Sequence, residues 1–282
     1  MNKIKITCDS TCDLTNELYE KHNIHIVPLC IAIGDELKYD GENISAAEIF
    51  EYAEKTGELP KTSATSIGEY EEVFRKYVSE GYEVVHVSLS SELSASNRNA
   101  CLAAEEIGNV HVLDSRNLSS GSGHLALLAA ELAEGGMAAG EIMDILQRKL
   151  KLLDVSFVLQ TLEYLHKGGR CSGIAAFGAN ALKIRPEIQV VDGSMKVGKK
   201  YRGSMEKTIL QYVRGRLEEQ NNIDHSRIFI THSGVSEEIV EKTKDLVLQL
   251  QNFEEVIETR AGCAISSHCG PACLGVLFFR TE

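Results

Sequence analysis

The chain has 282 residues, 43% hydrophobic and 25% charged, a composition that supports one large or two medium packed domains and argues against disorder. Forty-one acidic against 29 basic residues give a formal net charge of -12, which argues against a nucleic-acid-binding surface and requires any anionic ligand to be held by local donors. No stretch reaches the length of a membrane span and the first residues enter a strand pattern directly, so a cytoplasmic protein is expected.

Ile4 to Thr7 alternates as a strand, Ser10 to Thr15 turns and caps a helix running to about Lys21, and Ile24 to Ile33 is apolar and β-branched enough for a second strand. Ala46 to Lys55 has helical spacing. Ser66 precedes a helix over Ile67 to Glu80, with Glu69 placed as in a capping box. Val84 to Leu89 reads as a buried strand, Ser94 to Glu106 as a helix, Val110 to Leu113 as a strand, and Ser122 to Glu134 as an Ala- and Leu-rich helix after a glycine turn at Gly121-Ser122-Gly123. This alternation predicts an α/β fold, a mostly parallel sheet flanked by helices, over residues 1–154.

The pattern changes after Asp154. Val155 to Leu159 is strand-like. Leu162 to Arg185 mixes glycine, small apolar and basic residues, and Ile174 to Ile184 within it suggests a buried helix or the lining of an apolar cavity. Strands at Ile188 to Val191 and Met195 to Val197 flank the hairpin signal Asp192-Gly193. A helix from Met205 to Glu219, a strand from Arg227 to Thr231, a helix from Ser236 to Gln249 and a strand from Gly275 to Phe279 complete a second, α+β domain over residues 155–282.

Six apolar runs end in hydroxyl-rich turns, at Asp9-Ser10-Thr11, Thr62 to Ser66, Ser90 to Ser96, Asp114-Ser115 with Ser119-Ser120, Thr231-His232-Ser233 and Ser266-Ser267-His268. On neighbouring strands they would converge on one sheet edge, where neutral donors suit an anionic oxygen ligand. Helix capping accounts for many of these residues but does not require several in one turn. Thr62 and Ser94 are therefore candidate ligand contacts, with Ser66 or Ser96 as caps. Gly168-Gly169 permits close backbone approach between Lys167 and Arg170, either as an anion site or as an exposed basic loop. Ser119 to His124 lacks both the nucleophile-elbow and the P-loop spacing. His268, in the turn before the last strand, could donate to a carboxylate or steady a phosphoryl group; His232 has a weaker claim. The eight cysteines lack the usual zinc spacings and read as free thiols, with no metal expected.

Asp9-Ser10-Thr11-Cys12-Asp13-Leu14, Lys61-Thr62-Ser63, Ser90 to Ser94, Val112 to Ser115, Leu165-His166-Lys167-Gly168-Gly169-Arg170 and His268-Cys269-Gly270-Pro271 resemble, in order, the motifs of the DegV family. The resemblance spans essentially the whole chain. It implies a bacterial, non-enzymatic protein that binds one long-chain fatty acid, such as a C16 or C18 acid, as the lipid-binding subunit of a two-part fatty acid kinase. It further implies that Thr62 and Ser94 bond the carboxylate with His268 close by, and that Arg170 and Arg202 face the opening toward a separate ATP-binding kinase subunit. No cofactor is expected. The chain departs from the family at Leu93-Ser94-Ala95-Ser96, where Leu-Ser-Gly-Thr is usual, at Gly270-Pro271-Ala272, where Gly-Pro-Gly is usual, and at Cys171, which replaces a frequent isoleucine. Two other functions fit parts of the sequence: an autonomous phosphotransferase or esterase using serine and His268, and a cysteine-based redox or metal protein.

Overall fold

A computed structural model describes residues 3–171 and 184–281; the helix expected at residues 174–184 lies, apart from Ile184, outside them. β1 (Lys3–Asp9) leads through a single 3-10 turn, Ser10–Cys12, into α1 (Asn16–Lys21) and then β2 (His25–Val27). Pro28 has no amide hydrogen for a ladder, and the chain leaves the sheet there. The one strand expected from Ile24 to Ile33 is therefore two, β2 and β3 (Cys30–Ile33), in different sheets.

β3, β4 (Glu36–Tyr39) and, beyond α2 (Ala46–Thr56), β5 (Lys61–Ser63) form a small antiparallel sheet in the order β4-β3-β5. α3 (Ile67–Ser79), β6 (Tyr82–Ser88), α4 (Ser96–Ile107), β7 (Val110–Asp114), α5 (Ser119–Glu134) and α6 (Ala139–Lys149) follow. The capping box expected at α3 is present: the Ser66 hydroxyl accepts from the Glu69 amide at 3.3 Å, and the Glu69 carboxylate accepts from the Ser66 amide at 2.7 Å. α6 has no counterpart among the expected helices, since Ala138 stands where a capping side chain would mark its start. Strands β2-β1-β6-β7 form an all-parallel sheet covered by helices, as the alternating pattern predicts.

The second half comprises β8 (Leu153–Val158), α7 (Glu163–Gly168), β9 (Arg185–Val191), β10 (Ser194–Tyr201), α8 (Met205–Leu217), β11 (Ile223–Ser233), α9 (Glu237–Leu250), β12 (Glu255–Arg260), α10 (Cys263–Cys269) and β13 (Cys273–Arg280). Its six strands form one sheet in the order β10-β9-β8-β13-β11-β12, antiparallel except for β11 with β12. The Asp192-Gly193 hairpin forms as read, with both residues at positive φ, +52° and +84°. β12 and α10 lack strong sequence signals, and α10 replaces the turn expected around His268.

α5 is the wedge between the sheets. It packs on β1 and β6 and also on β8, β11 and β13, and every residue from Ser119 to Leu127 is buried. Gly121-Ser122-Gly123 is therefore not a turn before the helix but part of it. A methyl at Gly123 would meet the Cys12 carbonyl at 2.4 Å, so glycine there sets how closely the helix approaches the first sheet. The largest hydrophobic cluster draws on both halves of the chain, from Ile6 and Val85 to Phe157 and Leu277. Among the described residues, no helix is long and apolar enough to cross a membrane.

The turn from α10 to β13 places Ala272 at φ +54°, the left-handed region in which a β-carbon costs roughly 1–2 kcal/mol. This is the position where Gly-Pro-Gly is usual in the family that the sequence resembles. Ala272→Gly should raise the unfolding free energy by about 1 kcal/mol, partly offset by glycine's freedom in the unfolded chain. Urea denaturation checks this; an unchanged or lower stability would show that the turn carries no such strain.

Candidate functional site

The site depends on where α10 is held. The Asp13 carboxylate accepts from the Gly262 amide at 2.9 Å and from the Ser119 hydroxyl, while Asp40 accepts from the Cys263 amide at 2.7 Å and from the Ser10 hydroxyl at 3.0 Å. Both carboxylates are buried, and each meets the positive N-terminal end of the helix. Burial pushes both carboxyls above the ordinary carboxylate range; the Ser119 hydroxyl opposes this at Asp13, the Asp40 charge adds to it, and at Asp40 the Cys263 amide is the main opposing influence. Neither aspartate was singled out by sequence as a determinant of the site. Asp13 is visible there only as part of the motif at the end of β1, and Asp40 carries no local signal.

So held, α10 presents Ala264, Ile265, His268 and Cys269 to a cavity with an empty volume of about 620 Å³, part of it open to solvent. Leu29, Leu89, Leu93, Leu118, Phe157, Leu165 and Met195 supply apolar wall, and Thr11, Thr62, Ser63, Ser94, Arg170 and His268 supply polar groups. A second chamber of about 370 Å³ shares Leu118, Phe157, Ile265 and Cys269 with the first, and continues between β8, β13 and α10 past Val155, Cys273 and Leu277. The two adjoin at these four residues, and the surface that the second exposes is apolar.

Three candidates from three separate segments meet here. Thr62 lies on β5, not in a turn, paired with the fully buried Ile31 on β3. Its hydroxyl is 2.8 Å from His268 Nε2. Ser94 precedes α4 beyond the C-terminal end of β6, a position open α/β sheets commonly use for ligands, and its Oγ lies 3.0 Å from Ser96 Oγ. Ser66 caps as expected, but Ser96 does not, because α4 starts after Ala95 with no side-chain cap. Arg170 lines the cavity and is exposed; its guanidinium donates to the Gly168 carbonyl at 2.6 Å. Arg202 is exposed just after β10 and is not brought to the cavity wall.

Gly168 has a specific steric role. A methyl on it would lie 2.4 Å from His268 Nδ1, so only glycine lets α7 pass the imidazole. Burial, and then the nearby Arg170 charge, lower the His268 pKa to about 4, and its Nδ1 has no hydrogen-bond partner among the described residues. The ring is therefore a neutral imidazole at physiological pH, tied to Thr62 rather than to a carboxylate.

The other hydroxyl-rich turns are bound internally. Ser90 donates to the Gly193 carbonyl at 2.8 Å, Ser120 bonds Thr231, Ser115 lies 2.8 Å from Ser122, and Ser266 and Ser267 donate to backbone carbonyls of their own helix region at 3.2 and 2.8 Å. His124 is buried against Phe229 and Phe279, with burial lowering its pKa to about 3, and does not activate a neighbouring serine. His232 pairs with Glu258 at 3.1 Å. All eight cysteines are free thiols, and among the described residues no group of three or more His, Cys, Asp or Glu side chains is placed to hold a metal ion.

A family model described as an uncharacterised protein of the DegV family matches residues 3–281. A DegV domain-containing protein of Clostridium perfringens is 30% identical, with 99% of each chain covered. Among solved structures, one described as fatty acid binding of a DegV family protein from Thermus thermophilus is 30% identical, covers 99% of this chain and 100% of its own, and superposes with a TM-score of 0.90. A stearic acid-binding protein from Eubacterium ventriosum is 26% identical, covers 99% of this chain and 98% of its own, and has a TM-score of 0.87.

Because the folded pKa of His268 is depressed, its contribution to stability is full above the unfolded value of 6.5 and is lost as pH falls toward about 4. NMR titration of the imidazole should give a midpoint near 4, and Arg170→Gln should raise it. A midpoint near 6.5 in the unaltered chain would contradict the buried neutral ring.

Proposed function

The chain belongs to the DegV family, and from that premise we propose that it binds one long-chain fatty acid, with its carboxylate at Thr62 and Ser94 and its tail in the apolar chambers. The observation that carries this reading is the pairing of Thr62 with His268 in a mostly apolar cavity that Ser94 also lines. Solved relatives described as fatty acid-binding share the fold over nearly their whole length.

The neutral His268 determines what Thr62 can do. With the proton on Nε2, the imidazole donates to Thr62 Oγ1, and the Thr62 hydroxyl proton is free to bond an acyl carboxylate; with the proton on Nδ1, that hydroxyl would be used on the ring. The acid-binding state thus uses the Nε2–H tautomer, with His268 as a positioning residue. Ser94 supplies the second hydroxyl. Each buried methylene contributes roughly 0.8 kcal/mol, so the tail provides most of the affinity and the hydroxyls its direction.

The exposed Arg170 beside the head-group residues suits a partner surface that acts on the bound carboxylate. We extend the reading to presentation of the acid to a separate ATP-binding kinase subunit, which forms the acyl phosphate. The alternative of an autonomous esterase gains no support, because His268 bonds a threonine and, among the described residues, has no carboxylate to orient it.

Protein purified from a bacterial host should release a C16 or C18 acid on extraction and mass spectrometry. Thr62→Val and Ser94→Ala should each weaken binding by roughly ten- to hundredfold, the value of one hydrogen bond to a charged group. A lipid-free chain that takes up no added fatty acid would overturn the proposal. Acyl phosphate formed from ATP by this chain alone would refute the division of labour.

A further inference from the structure

A serine hydroxyl has one proton to donate and two lone pairs that accept, so Ser94 could meet a head group in either role. Its surroundings bear on the choice. The Ser96 amide donates to Ser94 Oγ at 3.2 Å, and the Ser96 hydroxyl lies 3.0 Å from the same oxygen. An amide N–H can only donate, so the backbone already fills one lone pair of Ser94. The contact between the two hydroxyls can run either way. Once Ser94 gives its proton to an acyl carboxylate, only the proton of Ser96 is left for that contact, and the second lone pair of Ser94 is filled as well.

The place of Ser96 suits that task. It is the first residue of α4 and caps nothing, since the helix starts after Ala95 with no side-chain cap. Its side chain has no exposed surface, so water entering the cavity cannot replace it as the donor. Ser94 is half-buried and lines the cavity, whereas Ser96 is not among the lining residues and can reach a bound acid only through Ser94. Thr62 is set in a parallel way: a proton on His268 Nε2 fills a lone pair of Thr62 and leaves its hydroxyl free to donate. In each pair one side chain donates to a hydroxyl and leaves that hydroxyl's own proton for the ligand.

We propose that Ser96 is a positioning residue that sets head-group specificity: by donating to Ser94 it makes that hydroxyl a donor only, and the cavity then selects an ionised carboxylate over a head group that must itself donate, such as a primary alcohol. This rests on the acid-binding reading of the same cavity. A carboxylate has lone pairs and no proton, so it accepts from Ser94 and Thr62 and asks for no acceptor in return. The O–H of an alcohol finds no free lone pair on Ser94. A buried donor left without a partner costs more than a typical hydrogen bond contributes, so the mismatch discriminates against the alcohol.

The test compares palmitic acid with 1-hexadecanol on the full chain stripped of lipid, with affinities read by displacement of a fluorescent fatty acid. Ser96→Ala keeps the backbone donor at this position and removes the second one. It should weaken palmitic acid by roughly three- to tenfold, the value of one net hydrogen bond, and leave hexadecanol within about twofold, since the freed lone pair of Ser94 accepts the alcohol proton. Ser96→Thr, which restores a hydroxyl, should return the preference for acid over alcohol to within about twofold of the unaltered chain. A loss shared equally by both ligands, or a Ser96→Thr chain that behaves like Ser96→Ala, would overturn the inference. If Ser96→Ala does not fold, Ser96→Cys, close in size and a weaker donor, should narrow the same preference, and an unmoved preference counts against the inference. A chain that binds palmitic acid with a preference that Ser96→Ala does not move refutes this inference alone, whereas one that binds neither ligand refutes the acid-binding reading itself.

Discussion

Two buried carboxylates from the first half of the chain hold the N-terminus of a seven-residue helix from the second, and the site follows from that clamp. A helix this short has little stability of its own. Asp13 and Asp40 satisfy amides that would otherwise be unpaired, and Ser10 and Ser119 in turn hold the carboxylates. With its first turn fixed, α10 delivers His268 to Thr62 and lays Ile265 and Cys269 along the cavity wall. Gly168 leaves room for the imidazole, and Gly123 sets the approach of α5 to the first sheet.

On the proposed function, the head-group end solves an electrostatic problem with neutral groups. A buried arginine or lysine would bind a carboxylate strongly but would itself have to be desolvated, and would stand unpaired in the empty protein. Hydroxyls carry a smaller desolvation cost, and a neutral imidazole can orient one of them without adding charge. The arginine near the site stays exposed, where its main effect on the buried ring is to keep it unprotonated. Tail burial can then supply affinity across chambers whose walls come from both sheets.

Much of the first sheet was legible in the sequence because β1, β6 and β7 are short apolar runs separated by stretches of helical spacing. Two helices were not: α6 starts at an alanine rather than at a capping residue, and α10 is too short and too rich in serine and cysteine to be told from a turn. Pro28 was the visible sign that the run from Ile24 to Ile33 divides between two sheets. For the site, local motifs drew attention to Thr62, Ser94 and His268, and the fold brings all three to one cavity. The Asp40 clamp depends on a contact between residues more than two hundred positions apart, which no local pattern encodes. Most of the remaining hydroxyls resolve into internal bonds.

The central claim is that neutral hydroxyls hold an acyl carboxylate at one end of a mostly apolar cavity. A crystal structure of the chain with bound palmitic acid tests it most directly. The account predicts carboxylate oxygens within hydrogen-bonding distance of Thr62 Oγ1 and Ser94 Oγ, with the tail passing Phe157 and Ile265 into the inner chamber. A carboxylate bound elsewhere, or a tail that leaves both chambers empty, would contradict it.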